Sequence, residues 1–314
     1  MVIASSLLVI MTTSFILILD SCRLASHYSS KSILMKLIIH GGFFSESLTN
    51  QEIKKAKQEA LTEIVKLGYK YLESHTAVET AVYAVSLLEN SDLFNAGTGS
   101  QIQSDGKIRL SAALMDGKSL RFSGVINVEE VKNPICIAEK LLTYDDRVLS
   151  GKGAKDFARQ NGFGYYNPET PQRRKEYDKK LSDSIRIGTV GCVALDVFGD
   201  LAAATSTGGK GFEIPGRVSD SATTAGNYAN GCAAISCTGV GEDIVSGALA
   251  STIVTRVTDG MSLSLATEKT FNELKPINGF AGVIGISSTG EIYHADTYPY
   301  MVWALHDGEP LVFQ

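Results

Sequence analysis

Short apolar runs alternate along this chain with longer amphipathic stretches, the pattern of a protein that builds sheets and covers them with helices. Leu37 to His40 is an unbroken apolar run that predicts a strand. Asn50 can cap a helix from Gln51 to Leu67, with Gly68 as its stop. A second helix is predicted over Thr76 to Glu89, where Val78, Val82 and Val85 mark one face. Asn133 followed by Pro134 is a cap and first turn for a helix to Thr143. From Thr189 the pattern becomes that of a hairpin: an apolar run, the turn Val197-Phe198-Gly199-Asp200, and a second run from Leu201 to Thr205. A further helix is predicted over Glu242 to Val257, after the turn Thr238-Gly239-Val240-Gly241.

Two stretches depart from this alternation. Asn167 to Arg186 is polar, charged and nearly free of core-forming residues, which predicts a mobile, cleavable linker directly before Thr189. Val2 to Leu19 is almost wholly apolar, long enough for a signal sequence or a membrane anchor, yet no Lys or Arg precedes it. Asp20-Ser21-Cys22 matches a lipoprotein cleavage site only loosely. Met35-Lys36-Leu37 reads as a natural opening of the first strand, which makes residues 1–34 an over-extended frame or a dispensable leader. The expectation is a cytoplasmic protein, or an exported or anchored one if residues 1–34 are real.

With 314 residues, 44% of them hydrophobic and 20% charged, the chain can bury one sizeable core, and no internal repeat suggests a solenoid. A net charge of -5 without a basic cluster argues against nucleic acid. Five cysteines, an odd number with no Cys-x-x-Cys spacing, favour reduced thiols over a disulfide framework or a zinc site. The histidines are scattered without ligand spacing, so no catalytic metal is expected. Asp116-Gly117-Lys118-Ser119 and Thr238-Gly239-Val240-Gly241 each lack part of a phosphate-binding loop.

The chemistry concentrates between Gly188 and Glu242. A threonine hydroxyl is a poor nucleophile without a base, and a cut just before Thr189 would supply its own amino group. That amine titrates near pH 8 when unperturbed, close enough to neutrality to act as general base. Arg217 and Asp220 could read the two ends of an amino acid, the guanidinium taking a carboxylate and the aspartate an ammonium. Thr238 and Gly239 offer a hydroxyl and a small backbone N–H for a developing oxyanion. Taken singly, each has an ordinary reading as a strand former, a surface ion pair or a turn. Their order and spacing carry the information.

In that order, together with His40-Gly41-Gly42, Phe94-Asn95-Ala96-Gly97, Met115-Asp116-Gly117 and Asn133-Pro134, they resemble the plant-type L-asparaginases, also called isoaspartyl peptidases, of the N-terminal-nucleophile hydrolases. The likeness spans Leu37 to Phe313. It implies an α+β fold, a four-layer αββα sandwich, in one domain made of an α-chain (residues 35–188, with its linker from about 165) and a β-chain (residues 189–314) separated by self-cleavage between Gly188 and Thr189. It implies Thr189 as nucleophile and Thr207 as the threonine that tunes it. Arg217 and Asp220 would anchor the substrate, Thr238 and Gly239 form the oxyanion hole, Gly241 lie against the substrate and Asn95 stand near the active centre. It further implies no required cofactor, a structural sodium ion held by carbonyls of the loop 88–98, and an (αβ)2 assembly. The substrates would be L-asparagine and β-aspartyl dipeptides. Glycosylated asparagine is the alternative, although Gly188 stands where those relatives carry Asp, and an unprocessed, non-catalytic homologue is another. Ser219, the segment Lys210-Gly211-Phe212-Glu213 and a shorter stretch between Asp220 and Thr238 depart from the usual pattern beside the pocket.

Overall fold

The computed structural model describes residues 35–43, 50–179, 188–298 and 300–314, so the apolar stretch at the N-terminus lies outside the described residues. Among them the chain is a mixed α+β protein with two antiparallel-rich sheets. The larger has the order β12-β11-β1-β5-β6-β2-β3-β4, built from β1 (Lys36–Phe43), β2 (Leu110–Asp116), β3 (Arg121–Val128), β4 (Val148–Ser150), β5 (Val190–Leu195), β6 (Leu201–Thr207), β11 (Met301–His306) and β12 (Pro310–Val312). The smaller has the order β10-β9-β8-β7, from β7 (Asn227–Ala229), β8 (Ala233–Gly239), β9 (Ala281–Ser287) and β10 (Ile292–Asp296). The hairpin predicted after Thr189 is β5 and β6, registered Val190 to Ser206 and Leu195 to Leu201. Every residue of both strands is buried, the signature of strands covered on both faces.

Three apolar clusters show what covers them. One joins the large sheet to α1 (Gln51–Leu72), α2 (Ala77–Glu89) and α3 (Pro134–Leu141) through Leu37, Leu61, Val85 and Ile135. A second lies where the sheets face each other, through Ile38, Val193, Ala203 and Ile284. The third joins the small sheet to α7 (Leu249–Thr258) and α8 (Leu263–Leu274) through Ile235, Ile253 and Leu263. The remaining helices are α4 (Gly151–Gln160), α5 (Pro171–Asp178) and α6 (Gly241–Gly247).

The cap expected at Asn50 holds in its physics. Asn50 caps α1, its side chain accepting from Glu52 and Ile53 N–H at 3.1 and 3.3 Å. Thr76 and Glu79 form a reciprocal capping box at the start of α2.

Four others differ. Gly68 does not stop α1, which continues to Leu72, because the missing side chain lets the helix approach β1: a Cβ there would lie 2.7 Å from Leu37 Cδ2. The helix after Pro134 ends at Leu141, and Asn133 stands at its N-cap without a side-chain cap hydrogen bond. Its amide donates to Glu89 Oε2 at 3.0 Å, while Glu89 Oε1 accepts Ile135 N–H at 3.1 Å. The helix predicted over Glu242 to Val257 is split into α6 and α7 at Ala248, whose φ of 46° is left-handed. Within the polar stretch read as linker, Pro171–Asp178 is helical, started by Thr170, whose hydroxyl accepts from Arg173 N–H at 3.3 Å.

Ala248 is exposed, so glycine there loses little packing while relieving a left-handed strain of about 1–2 kcal/mol, against an entropic cost of about 0.5–1 kcal/mol. Ala248→Gly is therefore expected to stabilise the protein by about 0.5–1 kcal/mol. Denaturant unfolding midpoints check this, and an unchanged or lower midpoint contradicts it.

Candidate active site

Thr189 sits at the mouth of β5, only 6% exposed, and its Oγ1 donates to Thr207 Oγ1 at the end of β6 at 3.2 Å. The hairpin register brings the two hydroxyls together from positions eighteen residues apart. Thr207 Oγ1 also accepts Gly209 N–H at 3.2 Å, so its lone pairs are directed by the backbone that follows it.

Asn95 holds the residue before Thr189. Its N–H donates to the Gly188 carbonyl at 3.3 Å, and its own carbonyl accepts Gly208 N–H at 2.9 Å. The side chain is equally engaged: Nδ2 donates to the Gly209 carbonyl at 2.5 Å and Oδ1 accepts Gln101 N–H at 2.8 Å. A Cβ on Gly188 would lie 2.7 Å from Asn95 Cβ, so this approach needs a glycine.

A second group forms around Arg217 and Asp220. Arg217 is forked onto Glu242, Nε to Oε1 and Nη2 to Oε2, each at 2.9 Å. That bond holds the Glu242 carboxyl down at about 2. Asp220 is buried, its Oδ2 has no hydrogen-bond partner, and burial pushes its carboxyl up to about 7 against the pull of Arg217. A Cβ on Gly241 would lie 2.8 Å from both Arg217 Nη2 and Asp220 Oδ1, so these three residues converge on one point. Lys210 Nζ reaches Glu242 Oε1 at 3.3 Å and ties this group to the backbone beyond Thr207.

Thr238 is fully buried at the end of β8, and its hydroxyl has no partner. Gly239 follows with φ +142° and a Cβ position 2.4 Å from the Phe280 carbonyl, where only glycine fits. Strand β8 packs on β5 and β6, and the chain runs on from Gly239 to Gly241.

Two polar residues that sequence reasoning passed over belong here. Glu242 is the partner of Arg217, announced only by an acidic residue in the first turn of a helix. His40 is fully buried, with Nε2 3.0 Å from Ser236 Oγ, which is in turn 2.7 Å from Thr205 Oγ1. Burial lowers the imidazole to about 3 despite the opposing effect of the Thr189 backbone, so it is neutral near pH 7. The His40-Gly41-Gly42 run at the end of the first strand was its one signal.

Nearby, Thr98 N–H donates to the Glu89 carbonyl at 2.8 Å and closes the loop that carries Asn95. Among the described residues no group of three or more His, Cys, Asp or Glu could hold a metal ion, and no helix is long and apolar enough to cross a membrane.

Paired hydroxyls beside a held glycyl carbonyl, with a carboxylate and a guanidinium converging nearby, make up the equipment of an acyl-transfer site on a two-sheet α+β scaffold. The sequence model of the asparaginase family matches residues 33–312, and the chain belongs to that family. An isoaspartyl peptidase/L-asparaginase of Nostoc sp. is 45% identical over 296 residues, covering 88% of this chain and 93% of the relative. A plant-type L-asparaginase of Pyrococcus furiosus is 36% identical over 296 residues, covering 86% and 96%. The isoaspartyl peptidase of Escherichia coli is 36% identical over 282 residues, covering 82% and 88%.

If an ammonium group is held at Asp220 the carboxyl must be ionised, and it takes up a proton as pH falls through about 7. Affinity for L-aspartate is expected to fall below that pH, approaching about tenfold per unit, while affinity for succinate, which lacks the ammonium, does not fall. Calorimetric titrations across the range check this, and a flat aspartate profile contradicts it.

Proposed function

We propose that this protein is a self-cleaving threonine hydrolase that releases L-aspartate from β-aspartyl dipeptides and L-asparagine. The observation that carries the reading is the hydroxyl pair of Thr189 and Thr207 beside a Gly188 carbonyl that accepts the Asn95 N–H at 3.3 Å. In the uncut chain Thr189 Oγ attacks the Gly188 carbonyl carbon, and the peptide bond becomes an ester. The Asn95 N–H offsets charge on the carbonyl oxygen. The Thr189 Oγ proton passes to the departing nitrogen, so this shift itself frees the Thr189 amino group, and water then hydrolyses the ester to the Gly188 carboxylate and the Thr189 hydroxyl.

In the cut protein that amino group takes the Thr189 Oγ proton as the oxygen attacks the side-chain carbonyl of the substrate. Thr238 Oγ1 and Gly239 N–H donate to the oxyanion; a buried hydroxyl without a competing partner is suited to this role. The protonated amine gives its proton to the leaving nitrogen, releasing ammonia or a peptide amine. Water then hydrolyses the β-aspartyl ester. Asp220 takes the substrate ammonium. Glu242 fixes one edge of the Arg217 guanidinium, and Nη1 is directed to the substrate carboxylate. Gly241 leaves room where these groups converge, since any side chain would fill the point between them.

The three apolar clusters support a four-layer αββα arrangement of one domain built from an α-chain and a β-chain. An (αβ)2 assembly belongs to the same proposal. Neutral backbone carbonyls in the loop 88–98 are donors suited to a hard monovalent cation, and sodium held there would steady the segment bearing Asn95. The free thiols of Cys136, Cys192 and Cys237 support a reducing, cytoplasmic setting.

Incubated at neutral pH, the wild-type chain is expected to yield two fragments meeting between Gly188 and Thr189 by intact mass, and Thr189→Ala one uncut, inactive chain. Cleavage at the same bond and full activity in Thr189→Ala contradict the reading.

A further inference from the structure

The polar stretch before Thr189 contains a helix that is anchored to the rest of the molecule. Helix α5 has no fully buried residue and no apolar face, yet Arg173 and Tyr177 reach distant backbone acceptors and Tyr177 also meets a ring. Arg173 Nε donates to the Gly99 carbonyl at 2.6 Å, and Tyr177 OH donates to the Ser104 carbonyl at 3.1 Å. The Tyr177 ring lies parallel to Phe212, centroids 5.1 Å apart and planes 7° off parallel.

Phe212 has a φ of 56°, a left-handed conformation that a bulky residue keeps only when its surroundings fix it. Its N–H donates to the Ile102 carbonyl at 2.9 Å. It stands in loop 209–214, between the two halves of the site. At one end the Gly209 carbonyl accepts the Asn95 amide and its N–H bonds Thr207. Beside it, Lys210 reaches the Glu242 carboxylate that holds Arg217.

We propose that α5 is a clamp on loop 209–214, with Tyr177 and Arg173 as positioning residues that set the spacing between the threonine pair and the groups that read the substrate's ends. The clamp lies ten residues upstream of the cut, so it stays with the α-chain, whose terminal segment is then a working part of the mature site. Its kinetic consequences rest on the threonine-hydrolase reading; its structural consequence does not.

The test uses the full chain with Tyr177→Ala, Tyr177→Phe and Tyr177→Ala in a Phe212→Ala background. Hydrogen exchange is expected to quicken in peptides covering 209–214 in Tyr177→Ala and to stay near wild type in Tyr177→Phe, which keeps the ring. For a β-aspartyl dipeptide, Tyr177→Ala should raise KM by about three- to tenfold, the worth of one aromatic pair, with kcat within about twofold. In the Phe212→Ala background the same change should add little, because the ring it acts on is gone. Unchanged exchange in loop 209–214, or a KM equal to wild type, overturns the clamp while leaving the hydrolase reading intact. A wild-type chain that neither cuts itself nor hydrolyses the dipeptide overturns the hydrolase reading, and the exchange comparison then decides the clamp by itself.

Discussion

A hydroxyl at the mouth of a strand buried on both faces is costly to leave unbonded, so a protein partner there matters. For Thr189 that partner is Thr207, and it exists because β5 and β6 pair in one register and no other. A slip by one residue would turn every alternate side chain of this hairpin to the opposite sheet face. The apolar residues of β5 and β6 on both faces forbid such a slip, since both coverings, helices on one side and the small sheet on the other, are already filled. The packing that stabilises the fold thus also aligns the two threonine hydroxyls.

The same constraint governs the polar groups between the sheets. His40, Ser236 and Thr205 make a file of hydrogen bonds in a layer otherwise packed with apolar side chains. Gly191 makes room for it: a Cβ there would fall 2.0 Å from Ser236 Oγ and 2.4 Å from His40 Nε2. Burial also divides the two carboxylates beside Arg217. Glu242, half exposed and forked to Arg217, stays ionised, whereas Asp220, enclosed with one oxygen unpartnered, titrates near 7. One carboxylate is committed to fixing a guanidinium, and the other keeps an oxygen without a protein partner.

What could be read from the sequence was what local chemistry encodes. The Asn50 cap, the hairpin after Thr189 and the order of Thr189, Thr207, Arg217, Asp220 and Thr238 were all legible. Gly68 misled because glycine signals a stop locally but here serves close packing on Leu37. The break at Ala248 was hidden because alanine is the best helix former, yet here it takes a left-handed φ of 46°. Asn133 marked a helix start correctly, but its amide is taken by Glu89 from another helix. Helix α5 had no periodicity to detect, being held by Arg173 and Tyr177 reaching distant carbonyls. Glu242 and His40 gained their meaning from partners 25 and 196 residues away, a relation that no local pattern contains.

The account stands on Thr189 Oγ being the atom that carries the acyl group. The most direct measurement is to mix the self-cleaved protein with L-asparagine, quench in acid within the turnover time, and map the β-chain peptides by mass. An aspartyl ester on Thr189, at the new N-terminus, is the predicted result. Turnover with no adduct, or with the aspartyl group on another residue, would contradict it.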